Sequence, residues 1–227
     1  MEAGPARAGF FAVAMRLSLI GMAGSGKSFW SKKLADIGFH RFCCDDLIEG
    51  KLSLELRKAD GTSRSLAEWM GFPFEPHYRM RESRYLAYEI EVLREILRGI
   101  ESRQPDPEEK TVIDTTGSVI YTGEEVIAQL RRSTTVVHLQ TPPEVKEHML
   151  QVYVAQPRPV LWRDLFSKMP EESNEEALAR CYPRLLSVRE SLYGRYADVS
   201  IDYRKRNKEG FGIRHFLAEI QAGSKGG

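Results

Sequence analysis

Gly21-Met22-Ala23-Gly24-Ser25-Gly26-Lys27-Ser28 follows directly on the apolar run Leu17-Ser18-Leu19-Ile20. The order reads as a strand, a glycine-rich turn and a helix beginning near Lys27. So placed, the turn aims several backbone N–H groups and a helix N-terminus at one anion. Gly21 and Gly26 permit the tight turn and a close approach of backbone to phosphate. Lys27 reaches the outer phosphates, and the Ser28 hydroxyl sits on a magnesium ion. Ala23, Gly24, Ser25 and Phe29 belong to the same expected phosphate-binding stretch. The spacing alone can arise by chance. The strand before it and the helix after it favour nucleotide binding over a glycine-rich turn without a ligand.

Outward from this loop, strand-like runs alternate with amphipathic stretches. Residues 16–20, 40–44, 111–114, 135–139 and 199–202 read as strands. Residues 27–37, 83–100, 123–132, 143–154, 175–193 and 211–221 read as helices. Leu86, Ile90, Leu93, Leu97 and Ile100 recur at spacings of four and three, on one helical face. The alternation predicts an α/β chain: a five-stranded, mainly parallel sheet covered by helices on both sides, in three layers. In such sheets ligands bind at the carboxyl ends of the strands. Residues 50–78 are polar and punctuated by Gly and Pro, 102–110 form a Pro/acidic loop, and 156–173 are rich in Pro, Arg and aromatic residues.

With 227 residues, 42% hydrophobic and 29% charged, the chain suits one substantial core. A net charge of +1 gives no support to a nucleic-acid or membrane surface. No apolar run is long enough to span a bilayer. Cys43, Cys44 and Cys181 lack metal-ligand spacing, so reduced thiols in a cytoplasmic protein are expected. One domain is expected over 15–222, with flexible ends at 1–14 and 223–227. Met15 is an alternative start.

Asp114 ends the run Thr111-Val112-Ile113, where a carboxylate holds magnesium directly or through water; otherwise it caps the next turn through Thr115 and Thr116. Thr116, Gly117 and Ser118 would let a substrate approach the backbone. Asp45 and Asp46 follow the second strand, where one accepts a proton from a substrate hydroxyl or anchors it, or N-caps the next helix. Arg158, Arg163 and Lys168 sit in the segment at 156–173, which suits an arginine-bearing lid; the plainer reading is a surface loop. Trp162 is either a latch or a packed aromatic. Arg189 binds an anionic group or makes a helix-surface ion pair. Arg79, Arg81 and Arg84 read mainly as a solvated face.

Taken in order, these pieces resemble the shikimate kinase family of small P-loop kinases. The similarity spans most of 16–222, with 50–84 outside it. It rests on the phosphate loop, on Asp45 to Glu49, on Val112-Ile113-Asp114-Thr115-Thr116-Gly117-Ser118-Val119, and on Thr141-Pro142-Pro143-Glu144. It continues in Arg158-Pro159-Val160-Leu161 and Arg189-Glu190-Ser191-Leu192-Tyr193. The resemblance implies a P-loop kinase fold with a helical substrate-binding insertion (50–84) and a lid (156–173). It implies that Lys27 and Ser28 serve ATP and magnesium and that Asp45 faces the substrate hydroxyl. Arg158 would be the lid arginine, and Arg189 would hold a substrate carboxylate. The chain departs from the family at Cys43, where an acid belongs, at Asp114, where a small residue is usual, and at Thr116 and Ser118, which replace glycines. An arginine the family carries before the long helix gives way to Tyr85-Leu86, with Arg84 displaced.

The expected activity is ATP-dependent transfer of a γ-phosphoryl group to a hydroxyl of a small metabolite, shikimate being the best single candidate. Another polyol, a sugar acid or a nucleoside is the competing acceptor. The rival class is a regulatory protein that binds ATP without transfer, which Cys43 favours.

Overall fold

The computed structural model describes residues 14–104, 106–155 and 159–224. Of the ends expected to be flexible, 1–13 and 225–227 lie outside the described residues. In chain order the elements begin β1 (Met15–Ile20), α1 (Lys27–Ala35), β2 (His40–Cys43), α2 (Cys44–Lys51), α3 (Ser53–Leu56), α4 (Leu66–Met70) and α5 (Tyr78–Glu101). There follow β3 (Lys110–Asp114), a 3-10 turn (Val119–Tyr121), α6 (Glu124–Ser133), β4 (Thr135–Leu139) and α7 (Pro143–Ala155). A second 3-10 turn (Arg163–Leu165), α8 (Asn174–Tyr196), β5 (Val199–Ile201), α9 (Tyr203–Arg206) and α10 (Ile213–Gly223) complete the chain.

The five strands found among the described residues lie in the order β2-β3-β1-β4-β5, and every pairing is parallel. Parallel neighbours need crossover connections, and the helices supply them. The order turns at β1, with β2 and β3 on one side and β4 and β5 on the other. The crevice of an open sheet lies at such a turning point, beyond the carboxyl ends of the strands. The register brings Leu19 and Cys43 level with Asp114, so three strand ends meet there.

Both sheet faces are buried. Leu17, Leu19, Val137 and Leu139 pack on one side with Trp30 and Leu34 of α1 and Phe216 and Ile220 of α10. Ile20, Ile113 and Val136 face the other way into a larger core built from α5, α6 and α8. Burial of each large apolar side chain contributes roughly 1.5–3 kcal/mol, so both helical layers are needed. The three-layer α/β arrangement is therefore as the alternation predicts.

Three element boundaries differ from expectation. β2 stops at Cys43 and α2 starts at Cys44, so Asp45 and Asp46 occupy the first turn and neither is the N-cap. Acids there are favoured by the helix dipole. β5 likewise ends at Ile201, and the Asp202 side chain caps α9 by accepting from Lys205 N at 2.9 Å. Gly223, expected in the tail, closes α10, where an added Cβ would lie 2.8 Å from Val199 Cγ1.

The stretch at 50–84 holds the short helices α3 and α4 and the start of α5, joined by non-helical connections. Leu52, Leu56, Trp69, Met70 and Tyr78 sink into the larger core, and a capping box between Ser65 and Glu68 starts α4. In the segment at 156–173, residues 156–158, Arg158 among them, lie outside the described residues. The described remainder is anchored: Val160, Leu161 and Trp162 are buried. Trp162 N donates to Tyr78 Oη (2.9 Å), and that hydroxyl donates to Val160 O (2.6 Å) or Glu82 Oε1 (2.9 Å). Three adjacent apolar residues draw this part of the expected flap into the core, so Trp162 is a packed aromatic. Lys168 bonds instead to Asn174 Oδ1 at 2.8 Å.

Candidate functional site

The loop between β1 and α1 is shaped by backbone constraints that its sequence anticipates. Gly21 has φ 143°, and a Cβ there would meet Leu139 O at 2.8 Å and Ser25 Oγ at 2.9 Å. Gly26 is the N-cap of α1 at φ 95°, a left-handed conformation that glycine adopts without strain. The first intrahelical bond runs from Trp30 N to Gly26 O (3.0 Å), so the N–H groups of Lys27, Ser28 and Phe29 have no partner within the helix. Phe29 places its side chain outside, edge-on to Trp30.

Lys27 is buried, and its Nζ donates to Gly21 O (2.9 Å) and Met22 O (3.0 Å). An ammonium has three donors, so one remains for a ligand. Burial lowers the Lys27 pKa, while Asp45 and Asp114 pull the other way. Arg206, which sequence reasoning passed over, braces the loop from the far side. It donates to Ser25 O (2.8 Å) and Gln140 O (2.6 Å), and burial brings its pKa down to about 10.

Asp114 is buried at the end of β3. Its Oδ2 accepts from Ser31 Oγ (2.9 Å) and Arg41 Nη2 (2.6 Å); its Oδ1 is buried and has no partner. Asp114 therefore belongs to an ion pair with Arg41 that the sequence did not suggest, yet keeps one oxygen free beside the phosphate loop. Among the described residues no cluster of three or more His, Cys, Asp or Glu is positioned around a metal.

Beyond the loop opens a cavity of about 250 Å³, and Lys27, Ser28, Asp45, Glu49, Thr116 and Arg189 are among its walls. Asp45 lines it; Asp46 does not. Surrounding protein raises the Asp45 pKa by desolvation, with Lys27 opposing, and the Tyr85 hydroxyl stands 3.4 Å from Oδ1. Gly117 is wedged between the loop and α8: an added Cβ would lie 3.5 Å from Ala23 N and 3.6 Å from Arg189 Nη1. Arg189 is buried rather than on the helix surface. It donates to Leu161 O (2.7 Å) and weakly to Gly117 O (3.5 Å), and lies over the Tyr121 ring at 5.5 Å. A second cavity of about 220 Å³, mostly apolar, adjoins through Ala23, Gly24 and Val160 and is walled by Met149, Val152 and Tyr153.

Sequence reading also missed Glu89. It is fully buried in α5 and accepts hydrogen bonds from Thr116 Oγ1 and from Ser118 Oγ (2.6 Å). Thr116 and Ser118 are thus tied to a carboxylate behind the cavity wall. Burial raises the Glu89 pKa to about 7, despite those two hydroxyls. A signal existed: Glu82 and Glu89 fall on the period of the buried face of α5, alongside Tyr85, Val92 and Ile96. A carboxyl raised from 4.5 to about 7 binds more protons folded than unfolded between those values. Stability from this group is therefore greatest below pH 4.5 and is lost as pH rises toward 7. Glu89→Gln is expected to flatten that decline by a few kcal/mol, as read by urea unfolding at pH 5 and pH 7.5. An unchanged slope would remove Glu89 from the account.

The fold is that of the shikimate kinases. The chain is similar to the shikimate kinase from Acinetobacter baumannii solved in complex with shikimate (24% identity, 92% of this chain and 91% of that one, TM-score 0.55). It is also similar to the shikimate kinase from Aquifex aeolicus (20% identity, 94% and 100% covered, TM-score 0.57). The enzyme from Bacteroides thetaiotaomicron matches at 14% identity, with 93% and 94% covered and a TM-score of 0.54. No family model and no curated protein sequence matches the chain. No helix among the described residues is long and apolar enough to cross a membrane.

Proposed function

We propose that this chain transfers the γ-phosphoryl group of ATP to a hydroxyl of a small molecule. The observation that carries the reading is the opening of one cavity onto both the phosphate loop, with its buried Lys27, and the carboxylate of Asp45. Phosphoryl transfer asks the protein mainly for alignment and charge stabilisation. Backbone N–H groups of Gly24 and of Gly26 to Phe29 and the free Lys27 donor would hold the β- and γ-phosphates, the Ser25 N–H being taken by Met22 O. Asp45 would orient the acceptor hydroxyl and take its proton, a role its raised pKa suits.

The Ser28 hydroxyl and the unpartnered Oδ1 of Asp114 would hold magnesium, directly or through water, since such sites use one or two protein oxygens and fill the rest with phosphate and water. When bound, it would neutralise charge on the transferring phosphate. Arg158 and Arg189 would take the lid and acceptor roles that the family resemblance implies. Shikimate is one named acceptor to test: shikimate-dependent ADP release supports it, and release only with other alcohols assigns a different acceptor. The ion pair with Arg41 supports a second, purely structural role for Asp114. Asp114→Asn is expected to raise the magnesium concentration for half-maximal turnover about tenfold or more, with Asp46→Asn unchanged. A change in stability alone, at constant magnesium dependence, would make Asp114 structural.

A further inference from the structure

The chain from Pro159 to Arg163 walls the acceptor cavity with Pro159 and Val160. Four of its backbone polar groups are met by side chains of distant helices, as buried backbone outside a ladder requires. Two residues of α5 take three of them. The Tyr78 hydroxyl accepts from Trp162 N (2.9 Å) and lies 2.6 Å from Val160 O, and Glu82 Oε1 accepts from Arg163 N at 2.7 Å. The fourth, Leu161 O, accepts from Arg189 Nη2 at 2.7 Å. Arg189 stands in the same cavity wall, and its bond to Gly117 O is the longer one at 3.5 Å. Arg163 is held at φ 54°, and among the described residues it is the one non-glycine residue at positive φ. Such a conformation persists where the surroundings over-determine it. Glu82 supplies that constraint: it is buried and also stands 2.9 Å from the Tyr78 hydroxyl. Packing alone would be served as well by an apolar residue, since a buried acid carries a desolvation cost.

We propose that Tyr78 and Glu82 are positioning residues for the acceptor wall: they hold Val160–Arg163 in place, and Leu161 O in turn fixes the Arg189 guanidinium. The wall's role rests on the phosphotransfer reading, whereas the chain of contacts is testable without an acceptor. A guanidinium is a planar fork whose value to a ligand depends on its orientation, and a single carbonyl bond sets that orientation here. The phosphate loop is held separately, by the bonds of Lys27 to Gly21 O and Met22 O and of Arg206 to Ser25 O. Loss of the Tyr78 or Glu82 contacts should therefore disturb acceptor binding and spare ATP binding.

The test follows the side-chain nitrogen signals of Arg189 by NMR in the full chain with isotope-labelled arginine, assigned by their loss in Arg189→Lys. In the parent, Nη1 and Nη2 should give separate signals, because a fixed guanidinium does not rotate freely. Tyr78→Phe and Glu82→Leu should merge them, while Glu82→Gln, which keeps an acceptor for Arg163 N, should keep them apart. Ile220→Val, in the opposite core, controls for destabilisation alone and should leave them separate. Averaged signals in the parent, separate signals in both disruptive variants, or merging in Ile220→Val overturns the proposal. ADP release is measured in parallel with shikimate, glucose, inositol and glucosamine. With any alcohol that supports it, Tyr78→Phe should raise the KM for that alcohol about tenfold and the KM for ATP less than about twofold. An equal rise in both, or no rise in the first, also overturns it. Absence of turnover with every alcohol sinks the kinase reading alone, and the Arg189 signals then decide the positioning role.

Discussion

Replacement of Lys27 by methionine is expected to lower acceptor-dependent ADP release about a thousandfold while leaving the folded chain within about 1 kcal/mol of the parent. The activity loss follows from the position of Nζ, which has two bonds to loop carbonyls and one donor left for the phosphate. Removing a single preorganised donor from developing charge costs about 100- to 1,000-fold, and this one also carries a full charge. Stability moves little because two effects oppose. Gly21 O and Met22 O each lose a donor, but the cost of burying an ammonium disappears. The pH dependence separates these effects. Burial lowers the Lys27 pKa from its ordinary 10.5, so the unfolded chain binds the proton more readily in that interval. Stability should rise with pH through the interval up to 10.5 in the parent and lose that component in Lys27→Met, as followed by urea unfolding. Equal activity in the variant would remove the phosphate loop from the chemistry.

The second large effect concerns Asp45. Asp45→Asn should reduce kcat by roughly 100- to 10,000-fold with little change in stability, since the amide keeps an oxygen for the Tyr85 hydroxyl. The parent's activity should fall as pH drops through a carboxyl value above the usual aspartate range, because desolvation favours the protonated form that cannot accept the substrate's proton. The residual activity of Asp45→Asn should lack that acidic limb. A parallel limb in the variant would show that another group accepts the proton, and Glu49 in the same wall would be the next candidate.

The sheet and the phosphate loop were legible because their signals are local. Glycines at 21 and 26 meet backbone demands that few other residues meet, and alternation of apolar runs with amphipathic stretches dictates crossovers. What escaped notice depends on contacts between distant segments. The polar, Gly- and Pro-punctuated composition around 50–78 gave no helix bounds by itself, and the short helices there are defined by burial of Leu52, Leu56, Trp69 and Met70. Val160-Leu161-Trp162 sits among Pro and Arg, which masked its role as a core anchor held by Tyr78. Asp114 reads in sequence as a metal ligand, and only the approach of Arg41 and Ser31 from other elements reveals its structural partner. Glu89 was hidden because its face was traced through hydrophobic residues alone. A carboxylate on the same period marks where α5 meets the cavity.

These differences converge on the acceptor side. On the phosphate side, the strand, turn and helix around Gly21 to Ser28 lie where the sequence predicts them. In the acceptor wall, Thr116 and Ser118 are bound to Glu89, and Arg189 is bonded to backbone carbonyls. The proposed chemistry is thus tied to the loop, while the opposite wall is set by contacts between distant segments.

The most direct measurement follows the fate of labelled γ-phosphate. The chain is incubated with magnesium and γ-labelled ATP over a panel of polyols, amino sugars and hydroxy acids, and the products are separated. The account predicts label in an acid-stable phosphate monoester of an acceptor, abolished by Lys27→Met. Label that stays in ATP, or appears only as inorganic phosphate whichever alcohol is present, would contradict it.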